Sequence, residues 1–385
     1  MTEILPTGAM PLHEWVVAPG FDAVAETFSQ QLQEKDEIGA AFAVYYRGQP
    51  LLDLWGGYAD SEQNQLWQAD TLQLVFSASK AVTTIAIHQL TERGLLEVNN
   101  PIAFYWPEFA RAGKEAITIA QVMTHRAAMA RVDGRLTAED IWAWQPVVEA
   151  IAAQAPNFEP GLQQAYHARS FGWILGELIR RVSGLSPRDY IRQKIVQPLG
   201  LDLHLGVAAE DRQRVARVYP DPVVAENPIS DYQQQVMTGP SGIFHNPEIW
   251  NLAELQQAQM PSSNAMATAR SLARMMAAVV TPVDGIQLLA DKTWLGASRT
   301  RSCDKDLIMG IEVPFGLGFM TAAAFGSCPS ASSFGHLAAG GGFVMVDPQY
   351  QLAMAYTPNR MRSGPAAERR RQRLMKALYN CLETT

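Results

Sequence analysis

The 385-residue sequence predicts an α+β fold: one antiparallel sheet drawn from both ends of the chain, flanked by helices, with a long helical segment inserted between. Three observations carry this. Short apolar strand signals cluster near the start and return near the end. Helical periodicity dominates the middle. Neither strand region is large enough for a comfortable sheet of its own, so the two are expected to join. The expected division is 11–70 with 285–385 as an α/β subdomain and 71–284 as a mainly helical one, with the active site between them.

The elements follow in order. Val24, Phe28 and Leu32 recur every four residues, which predicts an amphipathic helix. "AAFAVYYRGQPLLDLWGGYAD" reads as two strands around a turn at Arg47-Gly48-Gln49-Pro50. From Ser77 to about Arg93 the pattern is helical, with Val82, Ile85, Ala86 and Leu90 on one face and Gly94 as the stop. Thr118 with Gln121 has capping-box spacing, and Ser186-Pro187 with Asp189 is a helix start. Ser170 to Gly184 and Asn264 to Val280 are two more apolar helices. Strands are expected at 315–320, 343–348 and 351–359, the last two joined by a turn at Asp347-Pro348-Gln349-Tyr350. A basic amphipathic helix closes the chain. Leu374, Leu378, Cys381 and Leu382 lie on its packed side, and its arginines are read as a solvated face.

Composition narrows the function. A net charge of −7 argues against a broad nucleic-acid surface. The three cysteines, Cys303, Cys328 and Cys381, are widely spaced without C-x-x-C. That argues against a disulfide framework or a zinc site, and with the histidine spacing it predicts no metal or cofactor. The start, "MTEILPTGAMPLHEW", lacks the pattern of a leader, and no run of about 18 apolar residues occurs, so a cytoplasmic protein without membrane contact is expected.

The chemistry centres on "FSASK". Ser77 and Lys80 are three apart, so on a helix they share a face while Ser79 points elsewhere. A serine hydroxyl needs a neighbouring base to become a nucleophile, and a lysine is a base only when burial lowers its pKa and leaves it neutral. The apolar helix that follows makes such burial plausible. The same spacing recurs at Ser302-Cys303-Asp304-Lys305, in a charge-dense stretch without helical periodicity, which reads as solvated loop. No G-x-S-x-G occurs, which argues against an α/β-hydrolase elbow, and Ser241 in "GPSGI" only approximates one. His125 in "THRAAM" is read as fixing a loop beside the site.

Two further stretches add to this pair: "FEPGLQQAYHARSFGWILGELIRRVSG" and "FGHLAAGGGFVMVDP". With "FSASK" they resemble the three motifs of the serine β-lactamase and penicillin-binding protein superfamily, and in detail its family VIII carboxylesterase branch. The likeness runs from about Phe21 to the C-terminal helix and implies a β-lactamase-like fold. It implies Ser77 as the acylated nucleophile, Lys80 as its base and Tyr166 as the proton shuttle, with the lysine and tyrosine sharing a proton. His336, Leu337 and Ala338 fall at the third motif, where Leu337 and Ala338 depart from the branch's pattern. The backbone N–H groups of Ser77 and Ala339 would form the oxyanion hole, and Gly340 with the next two glycines would let the strand edge approach substrate. Ala168 replaces the asparagine of Y-x-N, which weakens the case for strong β-lactamase activity.

The reading is a serine hydrolase that cleaves small carboxylic esters with short acyl chains. On the same fold an amidase or D-amino peptidase, an acyltransferase and a weak β-lactamase remain open, as does a non-catalytic member that binds partners or polymerises. Oligomeric state does not follow from the sequence.

Overall fold

The strands at the two ends of the chain do pair into one sheet. In the computed structural model, residues 15–34, 37–220, 229–326 and 330–384 are described. The segment read for a leader, Cys328 and part of the 11–70 segment lie outside them. The main strands are β1 (Gly39–Tyr46), β2 (Gln49–Asp60), β3 (Phe334–Leu337), β4 (Phe343–Asp347) and β5 (Leu352–Pro358). Across the sheet the order is Val16–Val17, β2, β1, β5, β4, β3 and Met320–Thr321, antiparallel throughout. The join between chain ends is β1 on β5, with Ala43 opposite Ala355 and Val44 opposite Met354. Arg47 and Gly48, at φ 50° and 75°, form the two-residue β1–β2 turn; positive φ at both positions suits the twist of a hairpin.

Alternation along the strands sorts the side chains onto two faces. Phe42, Val44, Leu52, Leu54, Met345 and Met354 pack beneath α1 (Asp22–Gln33) and the C-terminal helix, whose apolar side includes Leu374 and Leu378. Ala41, Ala43, Ala353 and Ala355 face the other way, into the larger core. Their small side chains let the helix Ala269–Val280 lie close on the sheet. The expected division at 284/285 therefore separates this helix from the sheet it covers.

The helix at the centre of the protein is α2 (Ser79–Glu92), buried from Ser79 through Leu90 and stopped by Gly94 at φ 70°. Beside it runs α3 (Ser170–Ser183), ended by the left-handed Gly184. Thr118 and Gln121 form the expected capping box, and Ser186 caps the next helix with Pro187 at its first turn.

Two expected elements differ. Phe315 to Met320 is not a strand. Gly318 turns at φ 85°, Met320–Thr321 joins the sheet on β3, and Phe315 makes isolated bridges to Ser302 and Met320. Nor is Asn264 to Val280 one helix. Ala265–Ala267 is a strand, and helix begins at Ala269 after Thr268 caps it through the Ser271 N–H at 3.3 Å. That strand joins Gln73–Leu74 and Leu203–Leu205 in a small second sheet. It matters to the site, because Gln73–Leu74 leads into Ser77 and the residues just before Ala265 reach Lys80.

Candidate active site

Ser77 lies in a one-turn 3₁₀ helix, Phe76–Ala78, immediately ahead of α2. Phe76 holds φ at 43°, a left-handed conformation costing a non-glycine residue on the order of 1–3 kcal/mol. The surroundings hold it there. The Val75 N–H donates to Ala265 O at 2.9 Å, and the Phe76 ring meets Trp250 edge-on at 5.1 Å. Ser79 does turn away; its Oγ accepts from the Ala265 N–H at 3.0 Å.

Lys80 is fully buried. Its Nζ donates to Ala168 O at 2.8 Å and Ser262 O at 3.1 Å, and lies 3.3 Å from Ser77 Oγ. Burial first, and then the nearby Arg169 guanidinium, hold its pKa well below the ordinary lysine value. A neutral amine has two N–H donors and one lone pair. The two carbonyls take the donors and leave the lone pair for the Ser77 hydroxyl proton.

The Tyr166 hydroxyl donates to Ser77 Oγ at 2.7 Å. Lys80 Nζ sits 4.8 Å from the Tyr166 ring centroid. Lysine and tyrosine thus meet at the serine oxygen rather than across a bond shared between themselves. Burial pushes the Tyr166 pKa up, against the pull of its bond to Ser77. Burial thus favours the protonated tyrosine and the neutral lysine.

Three buried histidines surround this pair. His125 Nδ1 accepts from the His167 N–H at 3.0 Å, and its ring lies 4.7 Å from that of Tyr166. His125 thus fixes the tyrosine-bearing stretch, as its loop role predicts. His336 Nδ1 donates to Leu337 O at 2.6 Å, which leaves Nε2 as a buried acceptor without a partner among the described residues. Burial holds all three neutral: His125 well below its ordinary value, His167 at about 4 and His336 at about 3.

The third motif lies where β3 ends. Leu337 is half-buried, and Ala338 and Ala339 line a cavity with Phe76 and Ala78, which sets the Ala339 backbone beside the Ser77 turn. The glycines also serve the fold. Gly340 and Gly341 turn at φ 83° and 92°, and a Cβ on Gly341 would lie 2.7 Å from Arg370 Nη2. Arg370 was read as part of a solvated face. It is instead 1% exposed, paired with Glu37 at 2.6 Å, and donates to Gly340 O. A buried carboxylate and backbone carbonyls make burial of the guanidinium tolerable.

Sequence reasoning missed Ser262, Arg169 and Arg370. Ser262 acts on Lys80 through its carbonyl, which no side chain announces. Arg169 is half-buried; its guanidinium lies 4.1 Å from the Phe244 ring centroid and donates to Val236 O at 3.0 Å. The second Ser-x-x-Lys is not the solvated loop expected. Ser302 is buried, its Oγ donating to Thr124 O at 3.2 Å, while Lys305 is exposed.

Comparison with known proteins gives the family. Residues 24–379 match the beta-lactamase family. The chain belongs to that family. It is similar to the esterase/beta-lactamase LipL of Mycobacterium tuberculosis, with 34% identity over 360 residues, covering 90% of this chain and 82% of LipL. A penicillin-binding protein homologue from Caulobacter crescentus superposes with a TM-score of 0.87 at 31% identity, covering 95% of this chain and 98% of that one. A family VIII carboxylesterase gives 0.86 at 30% identity, covering 96% and 100%. The protein is a serine hydrolase of the beta-lactamase fold with esterases among its relatives. Among the described residues, no helix is long and apolar enough to cross a membrane, and no group of three or more His, Cys, Asp or Glu is placed to hold a metal.

Proposed function

We propose that the protein is a carboxylesterase that cleaves small esters with short acyl chains through an acyl-enzyme on Ser77. The observation that carries this reading is the convergence of Tyr166 and Lys80 on Ser77 Oγ, at 2.7 and 3.3 Å, with the lysine held neutral by burial. Lys80 takes the hydroxyl proton as Oγ attacks the ester carbonyl. The tetrahedral oxyanion lies against the N–H groups of Ser77 and Ala339; an oxyanion donor is typically worth about 10²–10³ in rate. Tyr166 gives its proton to the leaving alkoxide and is reprotonated from Lys80, releasing the alcohol and leaving Ser77 acylated. A water then attacks the acyl group, giving up a proton to the same pair, and the carboxylic acid departs with Ser77 restored.

Ester rather than β-lactam hydrolysis fits Ala168, whose methyl group offers none of the hydrogen bonds of an asparagine amide. The name of the family VIII carboxylesterase points the same way, while that of LipL, esterase/beta-lactamase, covers both reactions. Small substrates suit a half-buried serine whose neighbour Phe76 packs on Trp250. The test is kcat/KM for p-nitrophenyl butyrate against hydrolysis of long-chain triglyceride emulsions. The butyrate ester should be strongly preferred; preference for the emulsion would contradict the reading.

A further inference from the structure

Tyr166 has to place its hydroxyl within hydrogen-bond reach of Ser77, yet it lies in a stretch without regular secondary structure just ahead of α3. Its backbone must therefore be held by side chains and loops. From one side come two bonds through His125, whose carbonyl accepts from the Ala165 N–H at 2.9 Å and whose Nδ1 accepts from the His167 N–H at 3.0 Å. From the other side comes Asp306, within the stretch that carries the second Ser-x-x-Lys.

Asp306 is 1% exposed. Its Oδ1 accepts from the Tyr166 N–H at 3.1 Å, the Ile308 N–H at 2.8 Å and the Met309 N–H at 3.0 Å. Its Oδ2 accepts from Gln164 Nε2 at 3.3 Å, and the Leu307 N–H donates back to Gln164 O at 2.9 Å. The same loop ends at Phe315, whose ring stacks on that of Tyr166 with centroids 6.2 Å apart and planes 17° off parallel. Phe315 also meets the His125 ring edge-on at 4.3 Å. The loop in turn is tied down by Ser302, through Thr124 O and the bridge to Phe315.

We propose that Asp306 is a positioning residue for the reaction: its carboxylate anchors the Tyr166 backbone, and with Phe315 on the ring it fixes the phenol hydroxyl on Ser77 Oγ. The inference rests on the esterase reading above. A buried carboxylate that accepts several N–H bonds is strong and directional. A misplacement of about 1 Å at a reacting group can cost on the order of 10²-fold. Two of the Asp306 bonds close its own turn, and two reach out, to the Tyr166 N–H and to Gln164 Nε2. These roles separate by mutation. Asp306→Ser keeps a short acceptor for the turn but cannot span to the Tyr166 N–H. Asp306→Asn keeps the acceptor oxygen for both.

The experiment measures kcat and KM with p-nitrophenyl butyrate for Asp306→Ser, Asp306→Asn, Tyr166→Phe and the Asp306→Ser/Tyr166→Phe double variant, with thermal unfolding for each. Asp306→Ser should lose about 30-fold or more in kcat with KM within about threefold, and Asp306→Asn should stay within about fivefold of the parent. In the Tyr166→Phe background, Asp306→Ser should cost less than about twofold, because the group it positions is already gone. Multiplicative losses in the double variant, an Asp306→Asn as impaired as Asp306→Ser, or a folded Asp306→Ser with parental kcat would each overturn the inference. Ser77→Ala separates the two levels. Inactive Ser77→Ala with normal Asp306→Ser overturns only this inference, whereas active Ser77→Ala overturns the esterase mechanism beneath it.

Discussion

Ser77 and Ser302 each stand three residues ahead of a lysine, in opposite settings. At Ser77 a 3₁₀ turn runs directly into α2, and Lys80 reaches back to the serine oxygen from a fully buried position. At Ser302 the backbone is extended, bridged to Phe315. The serine hydroxyl is spent on Thr124 O, and Lys305 points to solvent. The spacing is identical; the backbone decides whether it becomes a pair. On a helix, residues three apart lie on one face, and in an extended chain they lie on opposite faces. The second difference is desolvation. A lysine in water stays protonated, while one enclosed by the protein with only carbonyls and a serine hydroxyl for partners favours the neutral form.

The comparison can be broken most decisively at the lysines. Lys80→Ala should lower kcat/KM by about 10³-fold or more, and Lys80→Arg should fail as well, since arginine keeps its proton. Lys305→Ala, an exposed position, should leave kcat/KM within about twofold. A Lys80→Ala variant with kcat/KM near that of the parent would remove the distinction between the two copies.

A smaller effect tests the buried setting itself. His125, His167 and His336 are neutral in the folded protein, with His167 at about 4 and His336 at about 3, against an ordinary 6.5. An unfolded chain binds protons on these imidazoles near pH 6.5, and the folded protein does not until the pH is far lower. Their contribution is present above pH 6.5 and is lost as pH falls from there towards about 4 and 3. Each such histidine steepens the loss by about 1.4 kcal/mol per pH unit inside its window. Tm should fall between pH 7 and pH 4.5, and His336→Gln should fall less steeply. An unchanged Tm over that range would show that these imidazoles are not held neutral by the fold.

Much of this was legible in the sequence because local patterns report local structure. The sheet from both chain ends, the Arg47-Gly48 turn, α2 and the Ser186 cap follow from alternation, periodicity and capping. Ser77, Lys80 and Tyr166 were found by spacing and by likeness to known motifs. What escaped depends on distant partners. Arg370 looks like a solvated arginine until Glu37, Gly340 and Arg360 supply acceptors. Ser262 serves Lys80 through its backbone, so its side chain carries no signal. Asp306 sits among charged residues and reads as surface, yet its carboxylate is filled by N–H groups from two segments. The misread strand at 315–320 is apolar because Phe315 packs on Tyr166 and His125, an irregular contact that no periodicity encodes.

The most direct measurement is covalent. The purified protein is treated with a fluorophosphonate, digested, and the modified residue located by mass spectrometry, with Ser77→Ala treated in parallel. The account predicts a single phosphonylated residue, Ser77, with activity lost in proportion to labelling and no label in Ser77→Ala. Labelling of Ser302 or Ser241 with Ser77 untouched, or a Ser77→Ala variant that still hydrolyses p-nitrophenyl butyrate, would contradict it.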